Sequence, residues 1–205
     1  SQELVAFKIE TEIRLERTSN RLAFKTTVNN QSKDHRLRVL FPTGIITDFH
    51  EADSIYEVVK RPNQVSSHWE NPTNPQHQHA FVNLHDETSG MTVSNFGLNE
   101  YEIVKDQICL TLLRCTGELG DWGYFPTPEA QCLGSHTFEY GVACHGAPEE
   151  RYETYRQAQA AQVPWTASQT DKHQGKLASS NQYMEAHGST VAITPLKRNR
   201  QDQQI

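Results

Sequence analysis

The sequence has no apolar run approaching the roughly 20 residues that a membrane-spanning helix needs. It also lacks a basic excess: 19 Lys and Arg stand against 25 Asp and Glu, a formal net charge of −6. A general nucleic-acid binder needs the opposite balance on at least one face, so that class is excluded. Only four cysteines occur, Cys109, Cys115, Cys132 and Cys144, and none forms a C-x-x-C. Their spacing fits no zinc pattern and is too sparse for a disulfide framework, so reduced thiols and a cytoplasmic setting are expected. Cys109, Cys115 and Cys144 lie in or beside apolar alternating runs, where cysteine packs as a small hydrophobe. The N-terminal stretch SQELVAFKIETEI has neither the basic nor the apolar part of a secretory signal, and it does not start with Met. A processed or excised piece of a longer chain is the expectation. Without a secretion signal, the sequon Asn30-Gln31-Ser32 is read as chance. No internal repeat and no low-complexity linker divides the chain.

What the sequence does have is period-2 alternation. From Val5 to Leu15 the odd positions are Val5, Phe7, Ile9, Thr11, Ile13 and Leu15, and the even ones carry Lys8, Glu10, Glu12 and Arg14. That pattern predicts a strand with one buried and one wet face. Leu22, Phe24, Thr26 and Val28 repeat it after a turn, and Leu37, Val39 and Phe41 repeat it again before Pro42-Thr43-Gly44. Three consecutive antiparallel strands in a meander are expected. Further strands are predicted at 55–60, 81–84, 91–93, 101–104 and 191–196. Glu87-Thr88-Ser89-Gly90 turns a hairpin between two of them. Ile108 to Leu113 is apolar on both faces, as for a strand covered on both sides, and His136 to Cys144 alternates cleanly. One helix is predicted, opened by Pro148, with Tyr152, Tyr155, Ala158 and Ala161 recurring on one face and Pro164 beyond its end. The residue pattern therefore predicts one β-rich domain, a large sandwich.

Candidate chemistry is thin. Ten histidines are present, and only His77-Gln78-His79 has metal-ligand spacing; with Pro72 and Pro75 before it, that stretch reads as a loop entering a strand. Asp48-Phe49-His50-Glu51-Ala52-Asp53 collects three acids and a histidine, and reads as an exposed acidic loop rather than a hydrolytic or metal cluster. Gly117, Gly120 and Gly123 are followed by no GK[ST] and no helix, which excludes a phosphate cradle. Cys132 and His136 stand four apart, a conceivable nucleophile pair, but read as a loop cysteine beside a strand-start histidine. Ser135 lacks the G-x-S-x-G frame. Arg36 and Arg38 share a strand face and read as solvated or ion-paired. Trp69, Trp122, Tyr124 and Phe125 suit either sugar stacking or plugging against a neighbouring domain. Residues 116–134 form a long Gly- and Pro-rich loop, a length that usually signals function or a partner surface.

Five segments occur in one order: DHRLRVLFPTG (34–44), GLNEYE (97–102), LTLLRCTGELG (110–120), TPEAQCLGSHTFEYGV (127–142) and VAITPLKR (191–198). Together they resemble the C-terminal β-domain of glycoside hydrolase family 38, the α-mannosidases, and most of all its bacterial branch with mannosylglycerate hydrolases. The likeness runs over about residues 5–198. It implies an all-β fold, a large antiparallel β-sandwich of the supersandwich, galactose mutarotase-like kind with one short helix. It also implies that residues 1–205 are the non-catalytic part of a retaining, zinc-dependent α-mannosidase. The zinc ligands, nucleophile and acid/base would belong to a catalytic domain that this chain lacks, so no catalytic or metal residue is carried over. The partners implied are that catalytic domain and, through it, an α-mannoside; a homo-oligomer is compatible with this, and no nucleic acid or membrane is expected. The family layout points to the loop at 117–135 as a rim of the active site, with Asp121, Trp122, Gln131 and His136 as candidates and Arg38 and Arg114 behind them. An autonomous carbohydrate-binding or protein-interaction sandwich is the alternative.

Overall fold

A computed structural model describes residues 5–65, 67–68, 74–120, 125–163, 165–172, 174–176, 178–188, 191 and 193. The strands are β1 (Lys8–Leu15), β2 (Arg21–Asn30), β3 (Arg36–Pro42), β4 (Phe49–Asp53), β5 (Val58–Pro62), β6 (Pro75–His77), β7 (Phe81–His85), β8 (Gly90–Asn95), β9 (Glu100–Val104), β10 (Gln107–Arg114), β11 (Glu118–Leu119), β12 (Phe125–Pro126) and β13 (Gly134–His145). Short 3-10 turns at Pro128–Gln131 and Pro148–Glu150 precede β13 and the helix α1 (Arg151–Ala160).

Two antiparallel sheets face each other. The larger has seven strands in the order β1-β2-β13-β8-β7-β4-β5, and the smaller has four in the order β3-β10-β9-β6. The expected meander is therefore incorrect. β1 and β2 pair, but β3 crosses to the other sheet and pairs with β10, while β13 takes the place beside β2. Alternation fixes which face of a strand is buried; it does not say which sheet the strand joins. In the sandwich core, Phe24 stacks on Tyr140 with ring centroids 5.3 Å apart, and Phe41 meets both rings edge-on at 6.0 Å. Val28, Val82, Leu84, Val93, Ile108 and Leu110 fill the space between the layers. β10 is buried along nearly its whole length, as its doubly apolar pattern predicts.

The helix covers the outer face of the larger sheet. Phe81 of β7 stacks on Tyr155 at 4.2 Å, with Ala80 and Ala158 buried beside them. This second layer explains one departure from expectation. Asp48 to Asp53 is no exposed acidic loop. Residues from Phe49 onward form β4, where His50 and Ala52 face the sandwich core and Glu51 and Asp53 are shielded on the side of the helix. His50 and His145 are both buried. Cys109 and Cys115 are buried, but Cys144 at the far end of β13 is exposed, against the reading from its alternating run. The strand expected at 55–60 forms as Val58–Pro62. Of the strand expected at 191–196, Val191 and Ile193 are described and both lie in irregular, exposed backbone. β1 keeps its alternation, yet both of its faces are exposed rather than one.

Candidate functional site

The chain ends of β2, β10 and β13 and the approach to β3 meet at one end of the sandwich. Cys115, just past β10, donates its N–H to the His35 carbonyl at 2.8 Å, and Thr116 donates to the Ala130 carbonyl at 3.1 Å. The connection from β10 to β13 leaves this point as a narrow ribbon. Thr127 N–H bonds the Gly117 carbonyl at 2.8 Å, and Glu118 and Leu119 pair with Pro126 and Phe125. Asp121 and Trp122 fall between those two paired segments in sequence, and Tyr124 with them; all three lie outside the described residues, as does Trp69.

The base of this ribbon is locked by two amides. Gln131 is 5% exposed. Its Oε1 accepts from the Asp34 N–H at 2.7 Å, and its Nε2 donates to Asp34 Oδ1 at 2.7 Å. Asn30, the last residue of β2, donates from Nδ2 to the Gln131 carbonyl at 3.0 Å and the Cys132 carbonyl at 2.8 Å, and approaches Cys115 Sγ at 3.4 Å. Its Oδ1 accepts from the Ser32 N–H at 3.0 Å. An Asn 1% exposed and bonded at both side-chain atoms is no glycan acceptor, in keeping with the reading of the sequon. Asp34 and Cys132 adopt the left-handed backbone at φ 51° and 48°, conformations costly for residues with a Cβ and held here by the bonds around them. A Cβ at Gly117 would lie 2.8 Å from Gln131 Nε2 and 2.9 Å from Asp34 Oδ1, so glycine there lets the ribbon pass over the Gln131–Asp34 pair.

His136 starts the inward row of β13. Its Nε2 donates to the Cys132 carbonyl at 2.8 Å and its ring stacks against Phe138 at 6.2 Å. The Cys132 thiol itself reaches the Ala130 carbonyl at 3.5 Å, so the imidazole is tied to the backbone of Cys132 and not to its sulfur. Cys115 is the thiol nearer an imidazole, with Sγ 3.9 Å from His35 Nε2, but burial, reinforced by the neighbouring Cys132, pushes its thiol above the usual range. Neither arrangement makes a thiolate nucleophile.

Arg38 and Arg114 lie on the outer face of the smaller sheet. Arg38 Nη1 meets Glu102 Oε2 at 2.7 Å, Arg114 Nη1 meets Glu100 Oε2 at 2.8 Å, and Arg36 bridges the two glutamates at 3.1 and 3.6 Å. Burial alone would raise Glu100, but the Thr111 hydroxyl and the Arg36 and Arg114 guanidiniums hold it below its ordinary value. The arginines thus form an ion-paired face. The structure brings Gln131, His136 and Arg114 to one end of the sandwich and sets Arg38 further along β3.

Two polar clusters were not legible in the sequence. Between the sheets, His50 Nδ1 donates to Asn63 Oδ1 at 2.6 Å and Nε2 accepts from the Tyr101 hydroxyl at 2.6 Å. Burial, helped by the Arg61 charge and opposed by the Asn63 bond, lowers His50 to about 4. Under the helix, Glu51 Oε2 accepts from Tyr155 Oη at 2.6 Å and Arg151 Nε at 3.0 Å. Beside it, Asn83 donates to His145 Nε2 at 2.9 Å and accepts from His85 Nδ1 at 2.6 Å. A cavity of about 350 Å³ opens next to Glu51, His85, Asp86 and Lys60. These groups satisfy one another and attach the helix to the sheet. Among the described residues, no group of three or more His, Cys, Asp or Glu side chains is placed to hold a metal ion, His77 and His79 included.

The family model described as the glycosyl hydrolases family 38 C-terminal domain matches residues 2–118. A curated relative from Halalkalibacterium halodurans, named "Putative mannosylglycerate hydrolase", is 38% identical over 197 residues, which is 96% of this chain and 22% of that protein. The crystal structure of an alpha-mannosidase from Enterococcus faecalis V583 matches with a TM-score of 0.83 and 64% identity over 87% of this chain and 20% of that one. A second Enterococcus faecalis structure, of a protein in glycosyl hydrolase family 38, matches with a TM-score of 0.80 and 61% identity over 87% of this chain and 21% of that one. The chain spans about a fifth of the length of these proteins.

Proposed function

The chain belongs to the glycosyl hydrolases family 38 C-terminal domain family, and from that premise we propose that residues 1–205 act as the non-catalytic β-domain of a cytoplasmic, zinc-dependent retaining α-mannosidase of the mannosylglycerate hydrolase type. The observation that carries the reading is the 64% identity to an alpha-mannosidase of which this chain matches a fifth. In this reading the zinc, the carboxylate nucleophile and the acid/base belong to the catalytic domain. The described residues here do not fit a zinc site, so no chemical step is assigned to them. Their work is positional. The ribbon between β10 and β13 projects from the end of the sandwich towards the catalytic domain, and the Asn30, Asp34 and Gln131 lock fixes its direction. Gln131, being buried, is a positioning residue, while Asp121 and Trp122 are the groups offered to the sugar or to the opposite domain.

The test is kinetic and uses the full-length polypeptide. Asp121→Ala and Gln131→Ala are assayed on an aryl α-mannoside and on mannosylglycerate. We expect Asp121→Ala to raise KM, and Gln131→Ala to lower kcat/KM by about 10-fold through a misplaced ribbon. Unchanged kcat and KM in both variants would remove the ribbon from the active-site rim. An autonomous sugar-binding module would instead give binding heat when the 205-residue chain is titrated with millimolar mannose or mannosylglycerate.

A further inference from the structure

Two of the four thiols meet at the base of the ribbon. Cys115 follows the last residue of β10, and the next residue, Thr116, donates its N–H to the Ala130 carbonyl at 3.1 Å. That bond brings the end of β10 beside the turn Pro128–Gln131 and the Cys132 that follows it. Asn30 spans both segments, with Nδ2 3.4 Å from Cys115 Sγ and 2.8 Å from the Cys132 carbonyl. The side chains themselves are in contact: the Cys115 thiol donates to Cys132 Sγ, and the Cys132 thiol donates onward to the Ala130 carbonyl at 3.5 Å. Cys109 lies further back along β10, opposite Leu40 and Glu102, and Cys144 lies at the other end of β13.

The two sulfurs differ in access. Cys115 is 5% exposed, and burial keeps its thiol protonated. Cys132 is only half-buried, with its backbone in the left-handed form at φ 48°. A small oxidant in solution therefore reaches Cys132 first, and Cys115 lies behind it as the group that can answer. No imidazole has to activate either sulfur for this. Contact makes the second step intramolecular, which offsets the poor nucleophilicity of a protonated thiol.

We propose that Cys115 and Cys132 are a peroxide-responsive dithiol that closes to a disulfide across the base of the ribbon. The Cys132 sulfur attacks one peroxide oxygen. An S–O bond forms, the O–O bond breaks and one water leaves, which gives a sulfenic acid on Cys132. The Cys115 sulfur then attacks the Cys132 sulfur. The S–S bond forms, the S–O bond breaks, and the hydroxyl leaves with the Cys115 proton as a second water. In all, the two thiols lose two electrons and one peroxide becomes two waters. The bridge encloses residues 116–131, the whole ribbon, and joins covalently the two segments that the Asn30 amide joins by hydrogen bonds. In a reducing setting the pair rests open, and a reduced thiol in solution reopens it by exchange.

The experiment uses the full-length polypeptide, reduced and then exposed to hydrogen peroxide. Remaining thiols are blocked with a maleimide, and peptides are read by mass spectrometry without reduction. We expect a linked pair of peptides carrying Cys115 and Cys132, formed at least ~10-fold faster than any link to Cys109 or Cys144 and cleaved by dithiothreitol. Proteolysis between 116 and 131 should slow by at least ~10-fold in the bridged form. Sulfinic acid on Cys132 with Cys115 still a thiol would overturn the proposal. So would a bridge from Cys132 to any other cysteine, or oxidation of the exposed Cys144 with both members of the pair untouched. Equal cleavage of the bridged and reduced ribbon would also count against it. In Cys115→Ala, the same peroxide dose should carry Cys132 on to sulfinic acid, and a Cys132 that stays a thiol there would refute the order of the steps. None of these readouts depends on α-mannoside hydrolysis, so this inference and the enzymatic reading fail separately.

Discussion

His50 makes the fold acid-sensitive, by an amount that can be worked out. It is 1% exposed, and its neutral ring is matched at both nitrogens: Nδ1–H to Asn63 and Nε2 as acceptor from Tyr101, with Arg61 Nη1 also 3.0 Å from the Tyr101 hydroxyl. Burial opposes the charged ring above all, and the Arg61 charge adds to that, which is why His50 sits at about 4 and not 6.5. The unfolded chain then binds the proton more readily than the folded one. Stability from this group is full above about pH 6.5 and is lost as the pH falls towards 4. A displacement of about 2.5 pH units corresponds to roughly 3 kcal/mol, of which about 2 kcal/mol is gone by about pH 4.5. The measurement is urea unfolding of the wild type and of His50→Gln at about pH 7 and about pH 4.5. A glutamine side chain does not titrate, so the wild type should lose about 2 kcal/mol more than the variant over that interval. If the two proteins weaken in parallel, His50 is not the acid-labile group and the reasoning is wrong.

Two further outcomes are expected. Tyr155→Phe removes a 2.6 Å bond to Glu51, whose pKa burial would raise but which the Tyr155 and Arg151 bonds hold below its ordinary value; the loss should be about 1.5–3 kcal/mol by chemical denaturation, and an effect under about 0.5 kcal/mol would mean that Arg151 alone holds the carboxylate. Asn30→Ala strips the donor from two carbonyls at the base of the ribbon. It should destabilise by about 2 kcal/mol and speed proteolysis between 116 and 134, and unchanged cleavage would show that the ribbon is fixed by other contacts.

The β-rich class was legible in the sequence because period-2 alternation is a local property: β2, β3, β7, β9, β10 and β13 fall where the apolar rows place them. The helix was legible from Pro148 and the Tyr152–Tyr155–Ala158 face. β4 was not, because the sign of burial there depends on a neighbour. Glu51 reads as a solvent residue until Arg151 and Tyr155 arrive from 100 and 104 positions away. The lock at Asn30, Asp34 and Gln131 was half visible. Gln131 stood out in a long loop, but its role as a buried anchor comes from partners 97 and 101 residues away. Arg38 and Arg114 carried the right charge for a binding face, and the structure spends that charge on Glu102 and Glu100.

By itself, then, the sequence decided for most segments whether they form strand or helix and which of their rows is apolar. Through its ordered segments it also settled the family, as the match over residues 2–118 bears out. Only the tertiary structure decided which sheet each strand joins, which polar residues end up sealed between layers, and that β1 presents an apolar row with no cover among the described residues. The physical reason is that side-chain alternation is encoded over a few residues of one strand. Burial is set by whatever the rest of the chain lays across it, and among the described residues the apolar row of β1 stays exposed.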